Sequence, residues 1–180
     1  YIIFTNYQFY IDEFVKIGAG KVGKDGYTAF IGPNPDSRLP QMPAYHLKMA
    51  DNKGITMVNI GVGPSNAKTI TDHIAVLRPH AWLMLGHCAG LRNSQALGDY
   101  VLAHGYLRED HILDAPLSPS IPIPALAEIQ QALEKAVAEV SGHEGYDLKK
   151  IMRTGTVATT DDRNWELHTA AQQNRRLSQS

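Results

Sequence analysis

The stretch Ile55-Thr56-Met57-Val58-Asn59-Ile60-Gly61-Val62-Gly63-Pro64-Ser65 reads as a strand that runs through a glycine turn into the start of a helix. The helix covers about residues 65–77 and would carry Ala67, Ile70, Ile74 and Leu77 on its inward face, at helical spacing. Residues 81–85 follow as a short continuous apolar run, the pattern of a strand covered on both faces. Gly86-His87-Cys88-Ala89-Gly90 then forms a second glycine turn. Strand, turn, helix, strand and turn in this order set an α/β class.

The pattern extends in both directions from there. Upstream, Tyr7, Tyr10, Ile11, Phe14 and Val15 recur at helical spacing. Thr5 and Gln8 fit a capping box, so the spacing predicts a helix over about 6–17, ended by Gly18, Gly20, Gly23 and Gly26. Residues 27–31 read as a strand. Residues 32–43 hold Pro33, Pro35, Pro40 and Pro43 and read as a loop. Residues 45–50 and 55–60 read as a hairpin around Asp51-Asn52-Lys53-Gly54.

Downstream, residues 99–106 read as a strand and 118–124 as a proline-rich crossing. Leu126, Ile129, Leu133, Val137 and Val140 mark one face of a long helix. Residues 152–158 form a further strand, and Asp161 or Asp162 can cap a final helix. The expected architecture is one domain over residues 1–180, with a mixed, largely parallel sheet and helices on both faces. Ligands in such sheets sit at the carboxyl ends of the strands. Three turns fall at such ends: 61–65, 86–90 and 155–161.

Composition bounds the function. The chain has 180 residues, 43% hydrophobic and 19% charged, with a formal net charge of −1. That suits a soluble globular domain with a real core. It lacks the basic field that would draw in nucleic acid. No apolar run approaches the roughly 20 residues of a membrane-spanning helix, and residues 1–10 show no signal-peptide pattern. With Cys88 as the single cysteine, a reducing, cytoplasmic location is the expectation. The eight histidines show no zinc-ligand spacing, so neither a metal nor a cofactor is expected.

Several groups could carry chemistry. Glycines at 61 and 63 let a backbone approach a ligand, and free amides at a helix start attract anions; a plain tight turn needs glycine equally. His87 at a strand end can face a ligand, or be satisfied by local backbone. Cys88 reads as a small apolar filler. In Thr159-Thr160-Asp161-Asp162-Arg163-Asn164-Trp165, Arg163 can clamp a phosphate and Trp165 or Arg163 can stack on a base; a capped helix start with a solvated charge pair is the simpler reading. Glu109, Asp110, His111 and Asp114 read as a solvated acidic loop.

Taken together, residues 59–67, 85–92 and 98–104 resemble the nucleoside phosphorylase family. Gln41-Met42-Pro43-Ala44-Tyr45-His46, Gly86-His87-Cys88, Arg108-Glu109-Asp110-His111 and residues 154–166 point to its AMP nucleosidase branch, with several motifs in order across residues 5–180. The resemblance implies hydrolysis of AMP to adenine and ribose 5-phosphate. Alternatives are a phosphorylase or nucleosidase acting on another nucleoside, and a non-catalytic nucleotide-binding module.

The same resemblance assigns Gly61 and Gly63 to the phosphate-side loop, with His87 where phosphorylases carry a phosphate-binding serine. Met84 stands where they carry an arginine, so attack by water is favoured over attack by phosphate. Cys88, Ala89 and Gly90 match the segment lining the base pocket. Thr159, Thr160, Asp161, Arg163 and Trp165 match the segment flanking base and ribose. Asn6 and Tyr7 match the region that reaches a neighbouring subunit's site. The family's general acid and ribose-binding glutamate fall beyond the equivalent of Ser180, and residues 32–39 make a shorter loop than the family's. A homo-oligomer, a hexamer in the family's pattern, is expected, with AMP as small-molecule partner and phosphate as a candidate ligand or effector.

Overall fold

The computed structural model describes residues 1–119, 121, 123–160, 162–169 and 171–172, with Arg163 and Glu166 described by backbone alone. The chain divides into two compact units, Tyr1–Cys88 and Ala89–Ser180. The described strands gather into two sheets, one in each unit.

The first unit holds β1 (Ile2–Thr5), α1 (Gln8–Lys21), β2 (Tyr27–Ile31), β3 (Ala44–Met49), β4 (Gly54–Asn59), α2 (Pro64–Ala75) and β5 (Trp82–Leu85). Its five-stranded sheet runs in the order β2-β3-β4-β1-β5. β1 lies parallel to both β4 and β5, whereas β2, β3 and β4 pair antiparallel. The β3–β4 hairpin forms as expected, with Asp51 and Asn52 both at φ 57°, the left-handed region that a two-residue hairpin turn needs.

Strand alternation sends side chains to two faces, and each face has its helix. Ile2, Phe4, Val58 and Ile60 pack with Ala67, Ile70 and Ile74 of α2. Leu47 and Met57 pack with Ile11 and Phe14 of α1. Fully burying a side chain such as Ile11 or Val58 contributes about 1.5–3 kcal/mol.

Several expectations change. β1 is an additional strand, and Thr5 is its last residue rather than a helix cap. The fully buried Thr5 accepts from the amide of Tyr7 at 3.2 Å. Gln8 is engaged by Asp12 and Asn59, so no capping box forms. Gly18 and Gly20 do not stop α1; a Cβ at Gly18 would lie 2.2 Å from the Phe30 ring, so glycine there lets helix and strand touch. Leu77 lies beyond the end of α2 and is 73% exposed. β5 is an edge strand with Met84 half exposed, not a strand covered on both faces.

The second unit holds β6 (Tyr100–Glu109), β7 (Ile123–Pro124), α3 (Ala127–Ser141), α4 (Gly145–Ile151), β8 (Met152–Thr160) and a 3-10 turn over Arg163–Leu167. Its sheet order is β7-β6-β8, with β6 and β8 parallel and β6 and β7 antiparallel. Leu102, Leu148 and Met152 form its core, with Leu133 and Val137 of α3 against them. Leu126 and Val140 are exposed, so the inward face of α3 is narrower than the periodicity suggested. Gly142 at φ 69° closes α3, its amide donating to Ala138, as left-handed glycine caps do.

The architecture is therefore mixed α/β. Among the described strand pairs, parallel and antiparallel pairings are equally represented, because the hairpin turn at 51–54 and the return through β7 reverse the chain.

Candidate functional site

In the first unit, register alone gathers three segments at one edge. Thr5 lies beside Asn59 of β4 and Leu85 of β5. Three parallel strands thus end together, and the chain leaves them through Asn6–Tyr7, Gly61–Gly63 and Gly86–Cys88.

Local hydrogen bonds tie the first two of these exits together. Ile60 donates to the Thr5 carbonyl at 2.8 Å. The Asn59 carboxamide accepts from the Gly61 amide at 3.0 Å and donates to Gln8 at 3.2 Å, linking the second exit to the start of α1. Asn66 Nδ2 donates to the Val62 carbonyl at 3.1 Å and holds the turn closed. Gly61 and Gly63 take φ of 67° and 108°, which a side chain would strain. No side chain caps α2, so its amino end offers backbone donors and positive partial charge. The buried Oδ1 of Asn6 has no hydrogen-bond partner among the described residues and lies 3.5 Å from where a Cβ at Gly86 would sit.

Rings surround His87. Its imidazole lies 4.0 Å from the Tyr7 ring, centroid to centroid, at an interplanar angle of 35°. Phe9 and Tyr10 lie at 5.4 Å and 5.7 Å. Tyr7 thus packs on His87 of its own chain. Cys88 is exposed, not an apolar filler.

In the second unit β6 and β8 also end together, with Arg108 beside Thr159 and Glu109 beside Thr160. Asp110 was expected in a solvated loop, but it is buried. It accepts from the Thr159 hydroxyl and from the Ile112 amide at 3.0 Å. Only the tertiary pairing of β6 with β8 reveals this residue. His111 stands at φ 61°, with Nδ1 2.7 Å from Asp114 Oδ2. Asp162 donates its amide to Thr160 Oγ1 at 3.2 Å and accepts from the Asn164 amide at 2.9 Å. It therefore caps the element carrying Trp165, which is a 3-10 turn rather than an α-helix. Ala89 and Gly90 are exposed, with the Gln95 carboxamide against Gly90. Asp161 and the side chain of Arg163 lie outside the described residues.

The structure thus brings together Asn6, Tyr7, Gly61, Gly63, His87 and Cys88 at one edge of the first unit. Thr159, Thr160 and the turn bearing Trp165 stand at one edge of the second. Among the described residues, no cluster of three or more His, Cys, Asp or Glu could hold a metal ion, and no helix is long and apolar enough to cross a membrane.

Residues 38–179 match the family described as the phosphorylase superfamily. An AMP nucleosidase of Escherichia coli (strain K12) is 54% identical over 190 aligned residues, which cover 95% of this chain and 39% of that protein. The chain thus spans about two fifths of the length of the curated relatives it matches. Among solved structures, an AMP nucleosidase from Bacteroides thetaiotaomicron superposes with a TM-score of 0.74 at 26% identity, covering all of this chain and 68% of that one. Helicobacter pylori MTAN shares the fold, with a TM-score of 0.68 at 17% identity over 98% of this chain and 72% of that one. With most of its length inside the family match and its strand-end turns built as described, the chain belongs to the phosphorylase superfamily.

Proposed function

We propose that this protein hydrolyses the N-glycosidic bond of AMP, releasing adenine and ribose 5-phosphate. The observation that carries the reading is the 54% identity to the Escherichia coli AMP nucleosidase across nearly all of this chain. The three joined exits of β1, β4 and β5 support it, because they offer backbone donors, a helix start and an imidazole where a sugar phosphate can lie.

The physical task is to break a carbon–nitrogen bond while the ribose gains oxocarbenium character and the purine takes up electrons. Protonating the leaving purine lowers the barrier, and water supplies the attacking oxygen. In that reading Gly61 and Gly63 form the phosphate-side loop, and His87 stands where the phosphorylases carry a phosphate-binding serine. By resemblance alone, Cys88, Ala89 and Gly90 are assigned to the base, and Thr159, Thr160, Asp161, Arg163 and Trp165 to the base and ribose. Met84 at the position of the phosphorylases' arginine removes the cation that would hold an attacking phosphate, since a dianion needs a charged partner. No residue of 1–180 is assigned as the general acid. The reading includes a cytoplasmic homo-oligomer.

Adenine release from AMP by the full-length protein, without inorganic phosphate, tests it. Turnover of adenosine that requires phosphate, with AMP inert, would replace the hydrolase with a phosphorylase. AMP binding without any adenine release would leave a nucleotide-binding module.

A further inference from the structure

We infer that Asp110 holds the Thr159 hydroxyl as an acceptor-only group that selects the 6-amino group of adenine against a 6-oxo purine. Thr159 is then a specificity-determining residue and Asp110 its positioning residue; the ligand, and the place of Thr159 beside it, rest on the function proposed above. Thr159 is the penultimate residue of β8, where β6 and β8 run parallel to a shared carboxyl end, the end at which such sheets take ligands. A threonine hydroxyl has one proton to donate and two lone pairs. Both groups that meet this hydroxyl are acceptors, the Asp110 carboxylate and the Leu107 carbonyl at 3.3 Å. The single O–H is therefore engaged inside the protein whichever of the two it faces. Thr159 remains only half-buried, and what its oxygen offers outward is a lone pair.

The two oxygens of Asp110 divide the work. Oδ1 accepts from the Ile112 amide at 3.0 Å, and Oδ2 accepts from Thr159. The amide fixes the carboxylate, and the carboxylate fixes the direction of the hydroxyl. A freely turning threonine would accept from an amine or donate to a carbonyl oxygen, and so would select neither. With the proton turned inward, an amino group finds an acceptor, whereas a 6-oxo group meets a second acceptor and stays unpaired. Sites built around one substrate hydrogen bond reject analogues that cannot make it. Ribose hydroxyls donate as readily as they accept, so a fixed polarity has its effect on the base rather than on the sugar.

The test is the ratio of kcat/KM for AMP to that for IMP, its 6-oxo counterpart, in the full-length protein. The parent is expected to favour AMP. In Asp110→Asn the side-chain oxygen can keep the Ile112 amide, which leaves the Nδ2 donor against Thr159. The hydroxyl then accepts from Nδ2, and its proton is released for a 6-oxo group. The ratio should fall about tenfold. Thr159→Val, with no polar group at all, should also lower it, by a loss on AMP larger than the loss on IMP. Thr159→Ser restores the hydroxyl and should keep the ratio within about twofold of the parent. Destabilisation alone lowers both substrates together and leaves the ratio where it was. A parent without preference for AMP, an unchanged ratio in Asp110→Asn, or equal losses on AMP and IMP in Thr159→Val would each overturn the inference. Should Asp110→Asn fail to fold, the valine and serine variants decide it. If the parent releases no adenine, the proposed hydrolysis fails, while titrations of AMP and IMP binding to the same proteins still decide the role of Thr159; a parent that binds neither nucleotide overturns both.

Discussion

The hydroxyl of Thr159 donates to the carboxylate of Asp110, tying the end of β8 to the end of β6. Asp110 is only 8% exposed, and it also accepts from the Ile112 amide. Thr159→Val keeps the shape and deletes the donor, so a buried carboxylate loses a partner. The expected cost is about 1–3 kcal/mol, read as a lower urea midpoint at constant slope. Thr159→Ser should keep most of the stability. A valine variant as stable as the parent would show that the bond contributes nothing.

Two glycines of α1 should respond to alanine in opposite directions. At Gly20 nothing lies within 4 Å of a new Cβ, so Gly20→Ala should stabilise by about 0.5–1 kcal/mol through helix propensity. At Gly18 the new Cβ would lie 2.2 Å from Phe30 Cδ2, and overpacking of about 1–3 kcal/mol outweighs that gain. Thermal melts of both variants, and of Gly18→Ala combined with Phe30→Leu, check the sign and the partner.

How much of this was legible beforehand depended on where each signal lay. β5 and the hairpin were readable because an apolar run and turn residues are local facts. β1 was not, because Ile2-Ile3-Phe4 is too short to show a period, and Thr5 with Gln8 imitates a cap. Its burial comes from lying between β4 and β5, which no local pattern shows. The turns at 61–63 and 86–88 were legible as strand-end positions. The rings about His87 were not, since Tyr7 and Tyr10 looked like members of a helix face. Asp110 read as solvated because charges usually are, and only its cross-strand neighbour says otherwise.

The stability of the first unit should fall as the solution is acidified, through His46. Burial is the main cause holding its pKa below the ordinary value of 6.5, and the neighbouring Lys48 adds to it. Its Nδ1 lies 2.9 Å from the Thr56 hydroxyl. The unfolded chain therefore takes up this proton first. The contribution of neutral His46 is complete above its unfolded value and is lost as pH falls through the lower folded value. Denaturant titrations between about pH 7 and pH 5 should show a shallower loss for His46→Gln than for the parent. Parallel curves would remove His46 as the cause.

Gly54 is expected to tolerate no side chain. It stands at φ 141°, and a Cβ would lie 2.2 Å from the Leu47 carbonyl oxygen. Gly54→Ala combines backbone strain of about 1–3 kcal/mol with a clash against main chain that cannot rotate away. Circular dichroism melts should show a large drop in Tm. An alanine variant melting with the parent would show that the hairpin opens at little cost.

The placement of β1 between β4 and β5 has a consequence for biosynthesis. Residues 2–5 leave the ribosome long before residues 56–59 and 82–85, which they must join side by side. Closing loops of that length is slow, and in the interval a bare Ile2-Ile3-Phe4 segment seeks any available neighbour. The nascent chain is therefore most prone to aggregate before Leu85 emerges, and chaperone engagement should be concentrated in that window.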